Sequence, residues 1–438
     1  MLTHQQKVQR IAQQLKERKS TTPVSLKKKV VSHEVPKPRD KRHSDEKIDI
    51  SDLNKILQID TEKQICIAEP GVTFVSLVDA TLKHGLVPII VPELKEITIG
   101  GAVAGCSIES MSYKHGGFHD TCLEYEVITA KGDVLVCTPD NENKLVFQMV
   151  HGTFGTLGII SKLKFRLIPA KPFVKVAYEK YRTLEDYKSA IWKHYTNRDV
   201  DFMDGIIHSP NLYVLSTANF VDKAPYTHRY DWLRVYYKST KKRKVDYLRT
   251  PHYFFRYDKG VTTSHPKTFL GRLLFGKFVG STELLKIAEK FHKIIPPSTI
   301  PVTLDVFIPF SKVSKFMEWY QKEVNFFPLW CVPYKCPRKY EWVSKEYWQK
   351  TKEDLFFDLA IYGMKKKGSK NYYKILEDGL MEIGGLKTLI STNYYSESAF
   401  WKIWNKGNYD KAKRTTDPDN IFRNLYTKTC KTMQGLDG

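Results

Sequence analysis

The chain has 438 residues, 42% of them hydrophobic, enough for a buried core and, at about 150 residues per domain, for two or three domains. Its 70 Lys and Arg outweigh 48 Asp and Glu, and the resulting +22 suits nucleic acid, an anionic membrane surface or phosphate-bearing ligands. The lysines are spread along the whole chain, however, and a solvated basic surface explains them equally well. The densest run, KSTKKRK at 238–244, lies in a polar stretch that reads as a loop. Seven cysteines at scattered spacings form no disulfide framework, and Cys331 and Cys336 have no second pair to complete a zinc site. Reduced thiols in a cytoplasmic protein are expected, with no metal. No run of about 18 apolar residues is present, and the first residues lack an apolar signal region, so neither a spanning segment nor a signal peptide is expected.

The first twenty residues read as a helix, with Val8, Ile11, Ala12 and Leu15 at helical spacing. A charged, proline-containing connection follows. From Ile48 the runs ILQID, QICIAEPGV, LVPIIVPE, EYEVITA and DVLVCTP predict short strands, while VSLVDATLKHG predicts a helix stopped at Gly85. This texture ends with LKFRLIPAKP, giving a first α+β domain over residues 1–172. A second α+β domain over 173–405 is aromatic and basic. Its strands VTLDVFIP and LFFDLAIYG alternate with helices such as STELLKIAEKFHKII and NYYKILEDGLMEI. TFLGRLLFGKFVG could lie at a lipid interface or form a core helix. The end, TTDPDNIFRNLYT, is polar and rich in turn formers. There is no internal repeat.

The segment EITIGGAVAGCSIESMSYKHGGFHD is small and polar in a chain otherwise heavy in Lys, Tyr and Phe. Glycine lets a backbone or a ligand approach closely, and bare N–H groups in such a loop suit a pyrophosphate. A tight turn packed on its own domain would use the same residues. The spacing fits neither a Rossmann fingerprint nor a P-loop.

Read with its neighbours, AEPGVTFVSLVDATLKHGLVPIIVPELKEITIGGAVAGCSIESMSYKHGGFHDTCLEYEVITAKGDVLVCTP and the later HGTFGTLGIISKLKFRLIPAKPFV, this stretch resembles the FAD-binding domain of the vanillyl-alcohol-oxidase-type flavoproteins. Within them it is most similar to the Δ24-sterol reductases (the diminuto/seladin proteins), through PEL followed by TIGG, CSIES, SYKHGGF, EYEVITAKGDV and GTLGII. FPLWCVPY, DLAIYG and YYSESAFWKIW look like corresponding stretches further on.

The resemblance implies a two-domain flavoprotein: an FAD-binding domain made of the N-terminal helix and two small α+β subdomains, a substrate domain, and residues 406–438 returning to the FAD domain. It implies that Thr98, Ile99, Gly100, Gly101, Ala102, Val103, Ala104, Gly105, Cys106, Ser107, Ile108, Glu109 and Ser110 wrap the pyrophosphate and reach toward the isoalloxazine. The N–H groups of Gly100, Gly101 and Ala102 would be donors, and Pro92 and Glu93 would shape the preceding turn. Gly155, Thr156, Leu157, Gly158 and Ile159 would lie at the adenosine half. The family's upstream phosphate loop should fall near residues 24–40, where there is no glycine, and Lys28, Ser32 or His33 would have to substitute. His33 lacks the context used for covalent flavin, so FAD is expected to be noncovalent. The membrane anchor of the reductases is not expected here.

The implied chemistry is reduction of an isolated double bond in the side chain of a sterol or isoprenoid-like lipid by hydride from reduced flavin, with NADPH as electron donor. Glu109, Lys114, His115 and His119 are candidates for the proton donor or for tuning the flavin, and Tyr362, Tyr394 and Tyr395 are further phenols in the substrate domain. Each also has a plain structural role open to it: a helix cap, a solvated charge, a turn, or core packing. An oxidase or dehydrogenase of a sugar, lactone or hydroxy acid remains an alternative. So does a non-enzymatic basic binder, although no nucleic-acid module is recognisable. Peripheral contact with an anionic membrane is compatible with the charge, and oligomeric state is open.

Overall fold

The computed structural model describes residues 2–30, 40–260, 301–365 and 368–436. Ser32, His33, the apolar run at 268–280 and the helix expected at 281–295 lie outside the described residues.

The N-terminal helix spans His4–Lys16 and starts in a capping box between Thr3 and Gln6. Val8, Ile11, Ala12 and Leu15 form its buried face, as their spacing predicts, and pack with Ile48, Leu53, Ile128 and Ile159. Polar contacts fix its first turn. His4 Nδ1 is 3.0 Å from Glu69 Oε1, its Nε2 is 2.8 Å from Glu126 Oε1, and Lys7 Nζ donates to Glu69 at 2.8 Å.

The first domain is built on an antiparallel sheet in the order Ile56–Asp60, Ile65–Ala68, Ile159–Pro169, Cys122–Ile128, Val134–Cys137, with Leu86–Pro88 added along Ile159–Pro169. A two-stranded parallel pair, Val24–Lys27 with Glu46–Asp49, stands apart. The helix Phe74–Thr81 is capped by Thr73, and the chain stops at Gly85 in the left-handed region, φ +67°. LVPIIVPE is a strand only through Pro88. Its prolines donate no hydrogen bond, so the ladder ends there. Phe118, from the glycine-rich segment, fills the core between Phe74 (5.1 Å) and Phe165 (5.3 Å).

The second domain is an eight-stranded antiparallel sheet, ordered Val245–Arg249, Phe173–Tyr181, Leu212–Val221, Phe202–Ser209, Leu329–Lys335, Leu355–Met364, Val302–Pro309, Leu386–Lys387. Alternation gives each strand two destinations. Leu304, Val306, Ile308, Phe357, Leu359 and Ile361 pack with helices Val313–Glu323 and Tyr372–Ile383. On the opposite face, Trp330, Val332 and Ala360 join the core of the first domain.

The C-terminal segment is more regular than its composition suggested. Residues Lys406–Thr416 form a helix capped by Asn405, although few of its side chains are apolar. Lys413 supplies what its apolar face lacks: buried, it donates to the carbonyls of Thr156 (2.8 Å) and Phe422 (2.6 Å). Val24 N–H then donates to Ile421 O at 2.8 Å, joining the two ends of the chain. KSTKKRK, read as a loop, begins inside the short helix Tyr236–Thr240. All seven cysteines are unpaired. Among the described residues no helix is long and apolar enough to cross a membrane.

Candidate active site

The glycine segment is a short helix, Ile99–Ala104, with Thr98 as its cap. This corrects the reading of bare donors. Gly100 N–H goes to Pro70 O (2.9 Å), Gly101 N–H to Thr98 Oγ1 (3.2 Å) and Ala102 N–H to Thr98 O (2.9 Å). The two adjacent glycines also differ in purpose. A Cβ at Gly100 would sit 2.6 Å from Pro70 Cβ, whereas one at Gly101 would meet only Thr98 Oγ1 at 3.2 Å. Gly100 therefore serves packing, and Gly101 leaves an exposed surface bare.

The second glycine segment docks directly on the first. Gly152 N–H donates to Val103 O (3.2 Å) and Phe154 N–H to Ala104 O (3.3 Å). Cys106, Gly152, Phe154, Gly155 and Gly158 all hold positive φ, so the backbone of both segments turns sharply at one place. The two stretches assigned to the two halves of a dinucleotide thus form one continuous wall. Within it, Ile99, Ala102, Val103, Thr156, Leu157 and Ile159 have buried side chains, Leu157 packing with residues of the second domain and the C-terminal segment. Ser107 and Ile108 are half-buried, as are Ala104, Gly105 and Cys106. Pro92 and Glu93 are buried at the turn before the helix.

Gly105, Cys106, Ile108 and Gly152 form one side of a cavity whose other side is the second domain: Phe307, Phe356, Leu386, Leu389 and Trp404. Tyr334, Tyr340, Trp342 and Tyr347 extend its aromatic lining. Polar atoms facing this space lack partners. His119 Nδ1, Trp342 Nε1 and Thr388 Oγ1 make no hydrogen bond although buried, and His119 Nε2 has only Asp120 Oδ2 beside it at 3.2 Å. A buried donor or acceptor without a partner costs about 1–3 kcal/mol, so such atoms mark a place where a ligand's polar edge belongs. His119 sits between His151 (5.0 Å) and Tyr340 (5.3 Å), and burial pushes its pKa down, keeping the ring neutral. Asp120 beside it accepts from Tyr340 Oη at 2.7 Å and lies 3.2 Å from Arg338, tying the glycine-rich segment to the second domain. Small, half-buried residues along this wall and unpartnered polar atoms in an aromatic cavity of about 90 Å³ match the chemistry of a flavin's polar edge. No group of three His, Cys, Asp or Glu that could hold a metal occurs among the described residues.

Of the residues singled out for proton transfer, His119 lines the cavity, while Glu109, Lys114 and His115 do not. Glu109 is buried against Arg256, Oε1 to Nη2 3.0 Å, and Arg256 also lies 3.2 Å from Asp204. Tyr257 and Trp330 donate to Asp204 at 2.7 and 2.9 Å, and the guanidinium lies 4.1 Å from the Tyr253 ring centroid. This is a closed ionic junction between domains, and burial lifts the Glu109 carboxyl to about 7. His115 is exposed, and Lys114 lies over the Tyr113 ring at 5.5 Å. Tyr394 is half-buried, its backbone N–H donating to Glu377, while Tyr395 packs behind the lining residue Trp404, ring centroids 5.6 Å apart. Lys28 directly follows strand Val24–Lys27.

A second buried cluster joins two residues named from the sequence, Glu93 and Tyr362, to two that were not, Asp305 and Asp358, with Tyr362 bonded to Asp305. Asp358 pairs across the strands with Phe307 and stands two residues from Phe356, both of which line the cavity, and its Oδ1 has no partner. Burial raises Glu93 and Asp305 to about 7 and Asp358 well above its ordinary value. A signal was present. An Asp at the centre of VTLDVFIP and of LFFDLAIYG is unusual in strands otherwise so apolar.

Comparison with known proteins agrees with this geometry. Residues 1–138 match the FAD binding domain family. The chain is 27% identical to the Delta(24)-sterol reductase of Homo sapiens over 405 residues, covering 87% of this chain and 77% of that protein. It is 24% identical to the Delta(24)-sterol reductase of Pisum sativum over 485 residues, covering 98% and 84%. Cytokinin dehydrogenase 7 of Oryza sativa subsp. japonica is 32% identical over 130 residues, 29% of this chain and 25% of that protein. Residues 1–138 thus carry the pattern of an FAD binding domain, within a chain of α+β class. Along most of its length the chain is similar to the Delta(24)-sterol reductases, as the resemblance implied.

Proposed function

We propose that the protein is an FAD-dependent oxidoreductase acting on a CH–CH group, reducing an isolated double bond in the side chain of a sterol or isoprenoid-like lipid with NADPH as electron donor. The observation that carries this reading is the cavity between the glycine wall and the aromatic face of the second sheet, with its unpartnered polar atoms. Bound noncovalently, FAD would supply the hydride chemistry. Exposed Gly101 and half-buried Gly105, Gly152 and Gly155 would let the dinucleotide approach the backbone closely. Neutral His119, Trp342 and Thr388 offer hydrogen bonds to polar edges of cofactor or substrate. Phe307, Phe356, Leu386, Leu389 and Trp404 exclude water and receive an apolar skeleton. The proton that completes alkene reduction is held by the carboxyls of Glu93, Asp305 and Asp358, which burial keeps protonated near neutral pH; Asp358 stands nearest the cavity. Glu109 is a positioning residue through Arg256. The basic surface suits a cytoplasmic protein in salt-sensitive contact with anionic membrane.

Purified protein should be yellow, release FAD on denaturation, and saturate a sterol bearing a side-chain double bond when given NADPH. Bleaching by a polyol but not by NADPH would establish the oxidase alternative instead.

A further inference from the structure

On the outer face of the second sheet, helix Leu184–Asn197 packs Tyr187 and Ile191 with Met203, Ile207, Tyr213 and Leu215. The edge strand Val245–Arg249 and its neighbour Phe173–Tyr181 continue that face beyond the helix, where it opens to solvent. Alternation turns Asp246 and Leu248 inward and Val245, Tyr247 and Arg249 outward, and the register sets Lys175 beside Tyr247. The preceding loop is tied to this edge. His228 N–H donates to Tyr247 O at 2.9 Å, Tyr226 Oη donates to Val245 O at 3.3 Å, and the Tyr226 and Tyr247 rings lie 5.3 Å apart. Tyr226 is 44% exposed, Trp232 43% and Val245 38%, so this edge offers aromatic and aliphatic surface to water. Charge gathers in the same place. Residues 222–249 hold nine Lys or Arg against three carboxylates, so 28 residues carry +6 of the chain's +22 with every carboxylate counted as ionised. Those carboxylates are engaged within the second domain: Asp222 by Lys171 (2.8 Å), Asp231 by Arg229, and buried Asp246 by His228 (2.6 Å). Burial, then the charges of Arg229, Arg249 and Lys95 against Asp231, depress the half-buried His252, so those three cations surround one point.

Cations interleaved with exposed Tyr and Trp suit the headgroup layer of an anionic bilayer. Lysine and arginine meet the lipid phosphates, and the amphipathic rings settle at headgroup level. Val245 gains from a bilayer and nothing from the phosphates of a nucleic acid. We infer that this sheet edge, with Lys175, Arg249, Tyr226 and Tyr247 at its centre, docks the protein on an anionic membrane, the phase that holds an apolar lipid substrate. The inference rests on the reading above, where membrane contact follows from net charge alone, and gives that contact a definite face. Its charged and aromatic contributions are separable, because salt screens the first and not the second.

The test is co-sedimentation of the purified protein with vesicles of phosphatidylserine in phosphatidylcholine, and with phosphatidylcholine alone, at low and high salt. Wild-type protein should bind the anionic vesicles and be largely released by salt. Lys175→Glu with Arg249→Glu should lower the partition ~10-fold or more. Tyr226→Ser should lower the binding that salt leaves. Lys339→Glu with Lys352→Glu, an equal charge change at exposed positions elsewhere, should leave the partition unchanged. Melting temperature is read on every variant, and Lys175→Glu alone, with a smaller loss, serves where the double variant does not fold. Anionic-vesicle binding that survives the reversal in folded protein, or that falls equally in the Lys339 and Lys352 variant, overturns the inference. Duplex DNA bound as tightly as the vesicles, and lost in the same variant, would make the edge a nucleic-acid surface and overturn it too. Vesicle binding is read without flavin. Colourless wild-type protein that loses its vesicles on reversal would therefore overturn the flavoprotein reading while upholding this one.

Discussion

Arg256 and Glu109 meet between the glycine-rich segment and the second domain, Nη2 to Oε1 3.0 Å, with neither side chain open to solvent. Asp204 shares the same guanidinium at 3.2 Å. One buried cation thus balances two carboxylates, and removing it leaves like charges facing each other without water. Arg256→Met should destabilise the protein by about 3–5 kcal/mol in urea unfolding. Glu109→Gln leaves one matched pair and should cost no more than about 1 kcal/mol, with turnover largely kept. A folded Glu109→Gln protein slowed a hundredfold would return Glu109 to the chemistry.

The paired glycines should separate folding from cofactor binding. Gly100→Ala drives a Cβ to within 2.6 Å of Pro70, so it should lower the melting temperature whether or not flavin is bound. At Gly101 a side chain meets almost nothing of the protein itself, so Gly101→Val should fold and lose its flavin. The ratio of flavin to protein absorbance, with the melting temperature beside it, distinguishes the two. Full flavin occupancy in Gly101→Val would remove this wall from the cofactor site.

Much of this arrangement was legible in the residues. Apolar spacing located the first helix through Val8, Ile11, Ala12 and Leu15, and Gly85 marked a stop because its left-handed backbone suits glycine. The glycine stretch pointed to a dinucleotide, but composition could not show that Gly100 and Gly101 N–H groups were already spent on Pro70 and Thr98. Nearness to the loop in sequence made Glu109 and His115 look chemical. Tertiary packing instead buried the first against Arg256, distant in sequence, and left the second in solvent. The cavity lining from Trp342, Tyr347 and Thr388 was illegible because it comes from a turn, a short helix and the end of a strand that only tertiary packing brings together.

The Glu93–Asp305–Asp358 cluster should make stability fall as pH rises. Burial raises Glu93 and Asp305 to about 7, above their unfolded values. Their protonated forms cost little below about pH 4, and ionisation opposes folding progressively as pH rises through 7. Asp305→Asn should flatten that part of the pH–melting curve. An unchanged slope would mean the cluster does not titrate in the folded protein.

His4 gives a separable alkaline signature. Hydrogen bonds to Glu126 and then Glu69 raise it from 6.5 to about 9. Its stabilisation is therefore fully present below pH 6.5 and is lost as pH rises through 9. His4→Gln should remove about 1–3 kcal/mol at pH 6 and little above pH 10, after allowance for its partial exposure. Equal losses at both pH values would assign the contact to packing alone.

The central claim is that reducing equivalents pass from NADPH through bound FAD to an isolated alkene. Its most direct test is the visible spectrum of the purified protein under anaerobic conditions, followed through two additions. Stoichiometric NADPH should bleach the flavin bands, and a sterol carrying a side-chain double bond should then restore them while yielding the saturated sterol. Flavin that NADPH cannot bleach, or bleached flavin that the alkene leaves unchanged, would contradict the account.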